Sequence, residues 1–507
     1  MKEKPLMQYQ LTVGLEIHSE LNTKTKMFCG CRNNPKAEIP NSEICPICMG
    51  HPGTLPVINK EAVKKVIKTG LALNCQVPAY VKFERKNYFY PDLPKGYQIS
   101  QYDKPFCIGG YLEIPKFKKI QIRQVHLEED TGSLVHPEKA DYSLVDFNRA
   151  GIPLMELVTE PDLRSAKEAR KFAEELRLIL RYLNVSNADM EKGEMRVEAN
   201  ISLQPQMSNV KCQMSKLGTK VEIKNLNSFR AVEKAIDYEI ERQTKILKAG
   251  EKVVQETRGW DDVKAKTFSQ REKEEAYDYR YFPEPDLPPL QISQELIDEI
   301  RAEIPELPQQ RKERFKKEYN LSIREVEVFI KDKDFGEYFE KVISELEQWA
   351  KEIMPEVVQK NFLRLTKICA NYMLTDLQGL LKEAPHHFFQ KSGGGLITPE
   401  NFAEFIVLIY EGKISSRIAK MVLTEMFSTG ADPSHIIEIK GLSQITDEAE
   451  IEKIVKEVLS KNQKAVQDFK KGKANALQFL IGQIMQETRG KASPQLVNKI
   501  LKNERKK

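Results

Sequence analysis

The chain predicts an α+β amino-terminal domain followed by all-α sequence, and three observations lead there. Up to about residue 295, segments alternate apolar and polar residues and are rich in Gly, Pro and aromatics, as half-buried strands and their turns are. The stretch Tyr281-Phe-Pro-Glu-Pro-Asp-Leu-Pro-Pro-Leu290 is too proline-dense to be helix. Beyond it the sequence becomes Lys/Glu-rich, with long intervals free of Gly and Pro that favour helices.

Segments 11–21, 119–130 and 195–203 read as strands by their two-residue period. One helix follows Ser165, where Glu168 stands three residues on as in a capping box. Its apolar residues Ala169, Phe172, Ala173, Leu176, Ile179, Leu180 and Leu183 recur at helical spacing. A second helix runs from about 228 to 249 and stops at Gly250. Further on, Gly393-Gly-Gly395 breaks the helical region and Thr398-Pro399 opens a new helix. A last unit begins near Lys440. These marks divide the chain into 1–295, 296–439 and 440–507, within the two to four domains that 507 residues imply.

Composition excludes whole classes. Hydrophobic residues make up 40% and charged residues 30%, a globular balance rather than a disordered one. No run approaches the ~18 apolar residues of a membrane span, and the first ten residues hold no apolar signal-peptide core. The expected compartment is the cytoplasm. Eight cysteines in 507 residues do not make a disulfide scaffold. Net charge is only +5, but from Lys461 onward twelve Lys/Arg face three acids. Such a tail suits a polyanionic partner or, alternatively, is a solvated lysine-rich end.

Several motifs carry chemistry. Cys29-x-Cys31 and Cys45-Pro-Ile-Cys48, thirteen residues apart, have the pairing of one tetrahedral zinc site. Cys75, Cys107, Cys212 and Cys369 are isolated and read as packing residues. In Val13-Gly-Leu-Glu-Ile-His18, alternation puts Glu16 and His18 on one strand face, with Gly14 there to leave room for a ligand. Gln124-Val-His-Leu-Glu-Glu-Asp130 ends a strand in three consecutive acids, whose repulsion a cation would offset. Arg85-Lys-Asn-Tyr-Phe-Tyr-Pro-Asp92, continuing to Gln101, mixes basic, amide and aromatic residues suited to phosphate contact and base stacking. Glu194-Met-Arg-Val-Glu-Ala-Asn200 and Val221-Glu-Ile-Lys-Asn-Leu-Asn227 read as strands with one wet face.

Together with Asn148-Arg-Ala-Gly-Ile-Pro153, Asp278-Tyr-Arg-Tyr-Phe-Pro-Glu-Pro-Asp286 and the carboxy-terminal Gly472-Lys-Ala-Asn-Ala-Leu-Gln-Phe-Leu-Ile-Gly-Gln-Ile-Met485, these blocks resemble the B-subunit family of the tRNA-dependent amidotransferases, in order and over nearly the whole chain. The resemblance implies an amino-terminal cradle domain with a fold similar to glutamine synthetase, then a helical domain and a small helical tail that binds tRNA. It implies that ATP phosphorylates the side-chain carboxylate of Glu-tRNA(Gln) or Asp-tRNA(Asn), and that ammonia from a partner glutaminase, the A-subunit of the complex, displaces the phosphate. A small C-subunit completes that complex. Glu16, His18 and Glu129 match that family's Mg²⁺ ligands. Lys86, Glu128, Glu198 and Glu222 match residues lining its catalytic site, with Lys86 and Glu129 toward the nucleotide. Position 198 is Asp in the family pattern, so Glu198 departs from it, and the stretch 204–217 is longer than usual. Lys470, Lys471, Lys473, Arg489 and Lys491 are the expected tRNA contacts. The implied cofactors are ATP and Mg²⁺, while Zn²⁺ on the cysteines is expected from their spacing, since some members of the family lack them. The competing reading is a non-catalytic, zinc-containing scaffold that binds tRNA, and convergence of Glu16, His18 and Glu129 is what separates the two.

Overall fold

The computed structural model describes residues 9–114, 118–137, 140–205, 217–272, 279–353, 362–383, 397–442, 448–471, 473–488 and 491–504. The chain forms two compact units, Met1–Pro308 and Gln309–Lys507.

The first unit holds strands β1 (Tyr9–Glu20), β2 (Tyr80–Val81), β3 (Glu84–Asn87), β4 (Tyr97–Ser100), β5 (Cys107–Ile108), β6 (Tyr111–Glu113), β7 (Lys119–Glu129), β8 (Ser133–Val135) and β9 (Leu144–Asp146). They are followed by β10 (Pro153–Thr159), β11 (Met195–Pro205), β12 (Val221–Leu226), β13 (Glu256–Asp261), β14 (Lys266–Glu272), β15 (Phe282–Pro283) and β16 (Leu290–Gln291). Its helices are α1 (Lys60–Ala72), α2 (Ala166–Tyr182), α3 (Phe229–Lys248) and α4 (Gln294–Ala302). One nine-stranded sheet runs β14-β13-β12-β11-β1-β10-β7-β5, with β6 also on β7. Its pairs are antiparallel except β12 with β13.

Alternation along these strands sorts residues onto two faces. Leu15, Ile17, Leu127, Met155, Leu157, Val197, Ala199 and Ile223 are buried in the apolar core with α2 and α3. Their strand neighbours Glu16, His18, His126, Glu128, Glu156, Arg196, Glu198 and Glu222 turn to the other face. An antiparallel sheet with one packed face and one polar face is the α+β arrangement the sequence predicts. A separate three-stranded sheet, β15-β3-β4, brings β4 against the end of β7, where the Gln98 amide donates to the Glu129 carbonyl at 2.6 Å.

Helix ends follow local chemistry. The Ser165 hydroxyl accepts from Glu168 N at 3.2 Å, but the Glu168 carboxylate reaches back to Arg164 N (2.8 Å) rather than to the cap itself. Ser228 caps α3, and Gly250 follows its end at φ +81°, where a left-handed residue is needed. Helix α4, expected beyond the boundary at 295, packs on α1 with Ile297 and Ile300 in the first unit's core. The break therefore falls at Pro308.

The second unit is helical among the described residues. Phe329 stacks on Phe339 at 4.4 Å, and Phe315 packs against both. Ser322 and Glu325 form a full capping box, and Thr398 caps the helix that Pro399 begins. Helices Glu448–Lys461, Gln463–Lys470, Ala474–Glu487 and Pro494–Glu504 enclose a separate core that includes Ile451, Val455, Leu480, Ile484, Val497 and Leu501. The expected break at Gly393–Gly395, most of the long stretch at 204–217 and Cys212 lie outside the described residues.

Candidate functional site

The polar sheet face of the first unit is crowded with titratable groups. Register places His18 opposite Glu156, and Glu156 opposite His126. His18 Nε2 lies 3.3 Å from Glu156, 3.6 Å from Glu128 and 3.7 Å from Glu16. His126 Nε2 is also 3.3 Å from Glu156. Across β1, Glu16 faces Glu198, and Glu16, Glu198 and Glu222 bring carboxylate oxygens within 4.8 Å of one another. The groups Glu16–His18–Glu156 and His126–Glu128–Glu156 meet the same limit.

Crowding sets the electrostatics. Burial, reinforced by Glu156, pushes Glu16 up to about 7. Burial opposes charge on His18, but its bond to Glu156 and the charges of Glu156, Glu128 and Glu16 raise it to about 9. Burial also opposes charge on Glu156, yet the two imidazoles hold it well below the usual carboxylate range. Lys224 donates to Glu198 at 2.7 Å and lies 3.5 Å from Glu222, which also accepts from Thr257 at 2.8 Å. The longer Glu at 198 thus reaches a lysine on the neighbouring strand.

Lys86, on β3, faces this array. Burial acts against its charge, but Glu128 and Glu156 raise it above the ordinary lysine range. Its ammonium lies 5.0 Å from the centre of the Tyr279 ring, an attractive cation–π distance. Tyr279 contacts Tyr88 and Tyr281, and Tyr281 stacks on Tyr102 at 4.6 Å. Arg85, also expected near phosphate, is held in a fork by Glu284 at 2.7 and 2.8 Å.

Glu129 does not join this group. Neighbouring strand residues point to opposite faces, and Glu128 takes the face with His18. The Glu129 carboxylate is bound by Lys95 and accepts from Ile99 N at 2.9 Å. The expected trio of Glu16, His18 and Glu129 is therefore corrected: Glu156 and Glu128 stand beside His18. Glu156 and His126 escaped sequence reasoning as site residues. The available signal was a lone acid, Glu156, in the apolar run Pro153–Thr159. Gly14 is faced by the chain's own Pro161 and Thr159, which a Cβ there would meet in ordinary contact at 3.8 and 3.9 Å.

The four cysteines converge. The sulfurs of Cys29, Cys31, Cys45 and Cys48 all lie within 4.8 Å of one another. The first pair sits in a hairpin closed by the Thr25–Arg32 bridge and by Lys26 N donating to Cys31 O at 2.9 Å. The second sits in a turn where Cys45 N donates to Cys48 Sγ at 3.2 Å and Met49 N to Cys45 O at 3.0 Å. A sulfur that accepts a backbone N–H is favoured as thiolate, and this donor set fits tetrahedral zinc. The Cys48 thiol is lowered to about 5, first by its bond with Cys29 and also by Lys26.

In the tail, Lys470, Lys471 and Lys473 are exposed and Lys491 is half-buried. Lys473 pairs with Asp468 at 2.9 Å. Arg489 lies outside the described residues.

A sheet face that gathers carboxylates and imidazoles beside a half-buried lysine belongs to a catalytic domain. Comparison agrees: the family described as the GatB/GatE catalytic domain matches residues 11–298, and the GatB domain matches 355–504. The B-subunit of the aspartyl/glutamyl-tRNA(Asn/Gln) amidotransferase of Persephonella marina is 50% identical over 498 residues, covering 98% of this chain and 99% of that protein. The corresponding B-subunits of Thermotoga petrophila and Caldicellulosiruptor bescii are each 47% identical, over 502 and 504 residues, covering 98% and 99% of this chain and 98% and 100% of theirs. The chain belongs to the B-subunit family of the tRNA-dependent amidotransferases, and is thereby an enzyme component of a glutamine-dependent carbon–nitrogen ligase. No helix among the described residues is long and apolar enough to cross a membrane.

Proposed function

We propose that the chain activates the side-chain carboxylate of Glu-tRNA(Gln) or Asp-tRNA(Asn) with ATP and completes its amidation. The observation that supports this is the convergence of Glu16, His18, Glu128, Glu156, Glu198 and Glu222 on one sheet face opposite Lys86. A scaffold has no use for carboxylates on five strands that repel one another.

A carboxylate is a poor acyl donor because its oxide leaves badly. In the proposed first step its oxygen bonds to the γ-phosphorus as the bond to ADP breaks. Ammonia then attacks the acyl carbon, and the C–O bond breaks to release phosphate and leave the amide. Glu16, His18 and Glu156 would hold magnesium, which would neutralise charge on the phosphate oxygens. Lys86, its ammonium against the Tyr279 ring, neutralises further phosphate charge. Lys224 fixes Glu198 and Glu222, and Glu128 orients His18. Cys29, Cys31, Cys45 and Cys48 would hold zinc, which would stabilise the fold around them. The glutaminase partner supplies ammonia, the small C-subunit completes the complex, and the lysines of the tail hold the tRNA.

The test is ATP-dependent amidation by the assembled complex on Glu-tRNA(Gln) and Asp-tRNA(Asn) separately. Product and ADP form in equal amounts with at least one tRNA. Amidation without ATP consumption overturns the proposal.

A further inference from the structure

Lys26 is fully buried, at 0% exposure, although lysine almost never is unless paired. Its ammonium donates to the Phe147 carbonyl at 3.2 Å and to Cys48 Sγ at 3.8 Å. Glu129, which lines the same cavity as Cys48, gives its Oε1 to Lys95, and its Oε2 borders Gly151 without forming an ion pair with Lys26. The stem is packed as well, since a Cβ on Gly151 would lie 3.6 Å from Lys26 Cδ and 3.4 Å from Cys48 Cβ. A buried cation is strongly destabilising unless an anion compensates it. The sulfur cluster is the anion that this side chain reaches.

We infer that Lys26 is the charge-compensating residue of the four-cysteine site, and that it sets how firmly the site keeps its metal. Four thiolates around a divalent zinc leave a double negative charge in a partly buried knuckle. One ammonium against Cys48 offsets half of it without occupying a ligand position. The bond to Phe147 O fixes the ammonium and ties the cluster to the turn at 147–151 that leads into β10. Met27, next in sequence, donates its N–H to Gly151 O at 2.7 Å. Partners of this outer kind tune metal affinity by roughly 10- to 100-fold. The inference rests on the zinc reading and goes beyond it.

The experiment compares the full-length wild type with Lys26→Met and Lys26→Arg, each purified with zinc. Metal content and the rate of zinc release to a chromogenic chelator are measured. Met keeps the length and removes the charge, whereas Arg keeps the charge. The inference expects release from Lys26→Met to be at least about tenfold faster, with Lys26→Arg close to wild type. Equal release from Lys26→Met and wild type overturns it. Wild type that holds no zinc overturns the zinc reading itself, a distinguishable result. Should Lys26→Met not fold, the same change is made with Cys48→Ser, which removes the sulfur that the ammonium faces. The double variant then folds better than Cys48→Ser alone, because a buried charge without its partner is better absent. A double variant no more stable than the single one overturns the inference.

Discussion

At the scale of the residue, Glu156 is the hinge of the site's electrostatics, because two imidazoles hold it from neighbouring strands. Glu156→Gln removes the anion that raises His18 to about 9. Burial is then opposed only by Glu128 and Glu16, so His18 falls from that value, which an NMR titration of the seven histidines detects. Amidation by the variant complex drops roughly a hundredfold, and near-normal turnover would remove Glu156 from the site. A second prediction concerns proton balance. Imidazole ligates a metal only when neutral, and His18 carries its proton up to about pH 9. Magnesium uptake at about pH 7.5 therefore releases a proton, and apparent affinity rises with pH by up to about tenfold per unit between about 7 and 9, and more steeply below about 7, where Glu16 is protonated as well. Calorimetry in two buffers of different ionisation enthalpy measures this. Equal heats, with affinity flat between about pH 6.5 and 8.5, would mean that His18 is not a ligand.

At the scale of the element, the knuckle and the capped helix each make a prediction. Protein never exposed to chelator carries about one zinc per chain, and its removal lowers the melting temperature. Finding no zinc by metal analysis disproves the site. Ser165→Ala removes the bond to Glu168 N and costs about 1 kcal/mol in denaturant unfolding; an unchanged midpoint would mean the cap is idle. These features were legible because each is local: a cysteine spacing, a cap, a two-residue period. The same period explains why Glu129 was misplaced. Two adjacent acids on a strand cannot share a face, but which of them joins Glu16 and His18 depends on the pairing of β7 with β10 and β10 with β1. Sequence separations of that size leave no local trace. Glu156 was hidden for the same reason, since a buried acid looks like an error in an apolar strand until its two histidines are seen.

At the scale of the whole molecule, the tail has its own core around Ile451, Leu480 and Val497, so it is separable from the sheet's chemistry. Deletion from Lys440 onward raises the Michaelis constant for tRNA and flattens its salt dependence, each lost phosphate contact taking roughly 0.7 to 0.9 from the log–log slope. Unchanged values would make the lysines a solvated surface. Another consequence lies in the position of β1. It is made first, yet it sits mid-sheet between β10 and β11, whose pairing residues lie at 154–158 and 195–205. During synthesis, twelve residues of strand, Tyr9–Glu20, wait for both neighbours. An unpaired apolar strand is a template for wrong pairing. The nascent chain thus carries the strand on which the site is later assembled without its second neighbour until residue 205 has left the ribosome, open to wrong pairing for that time.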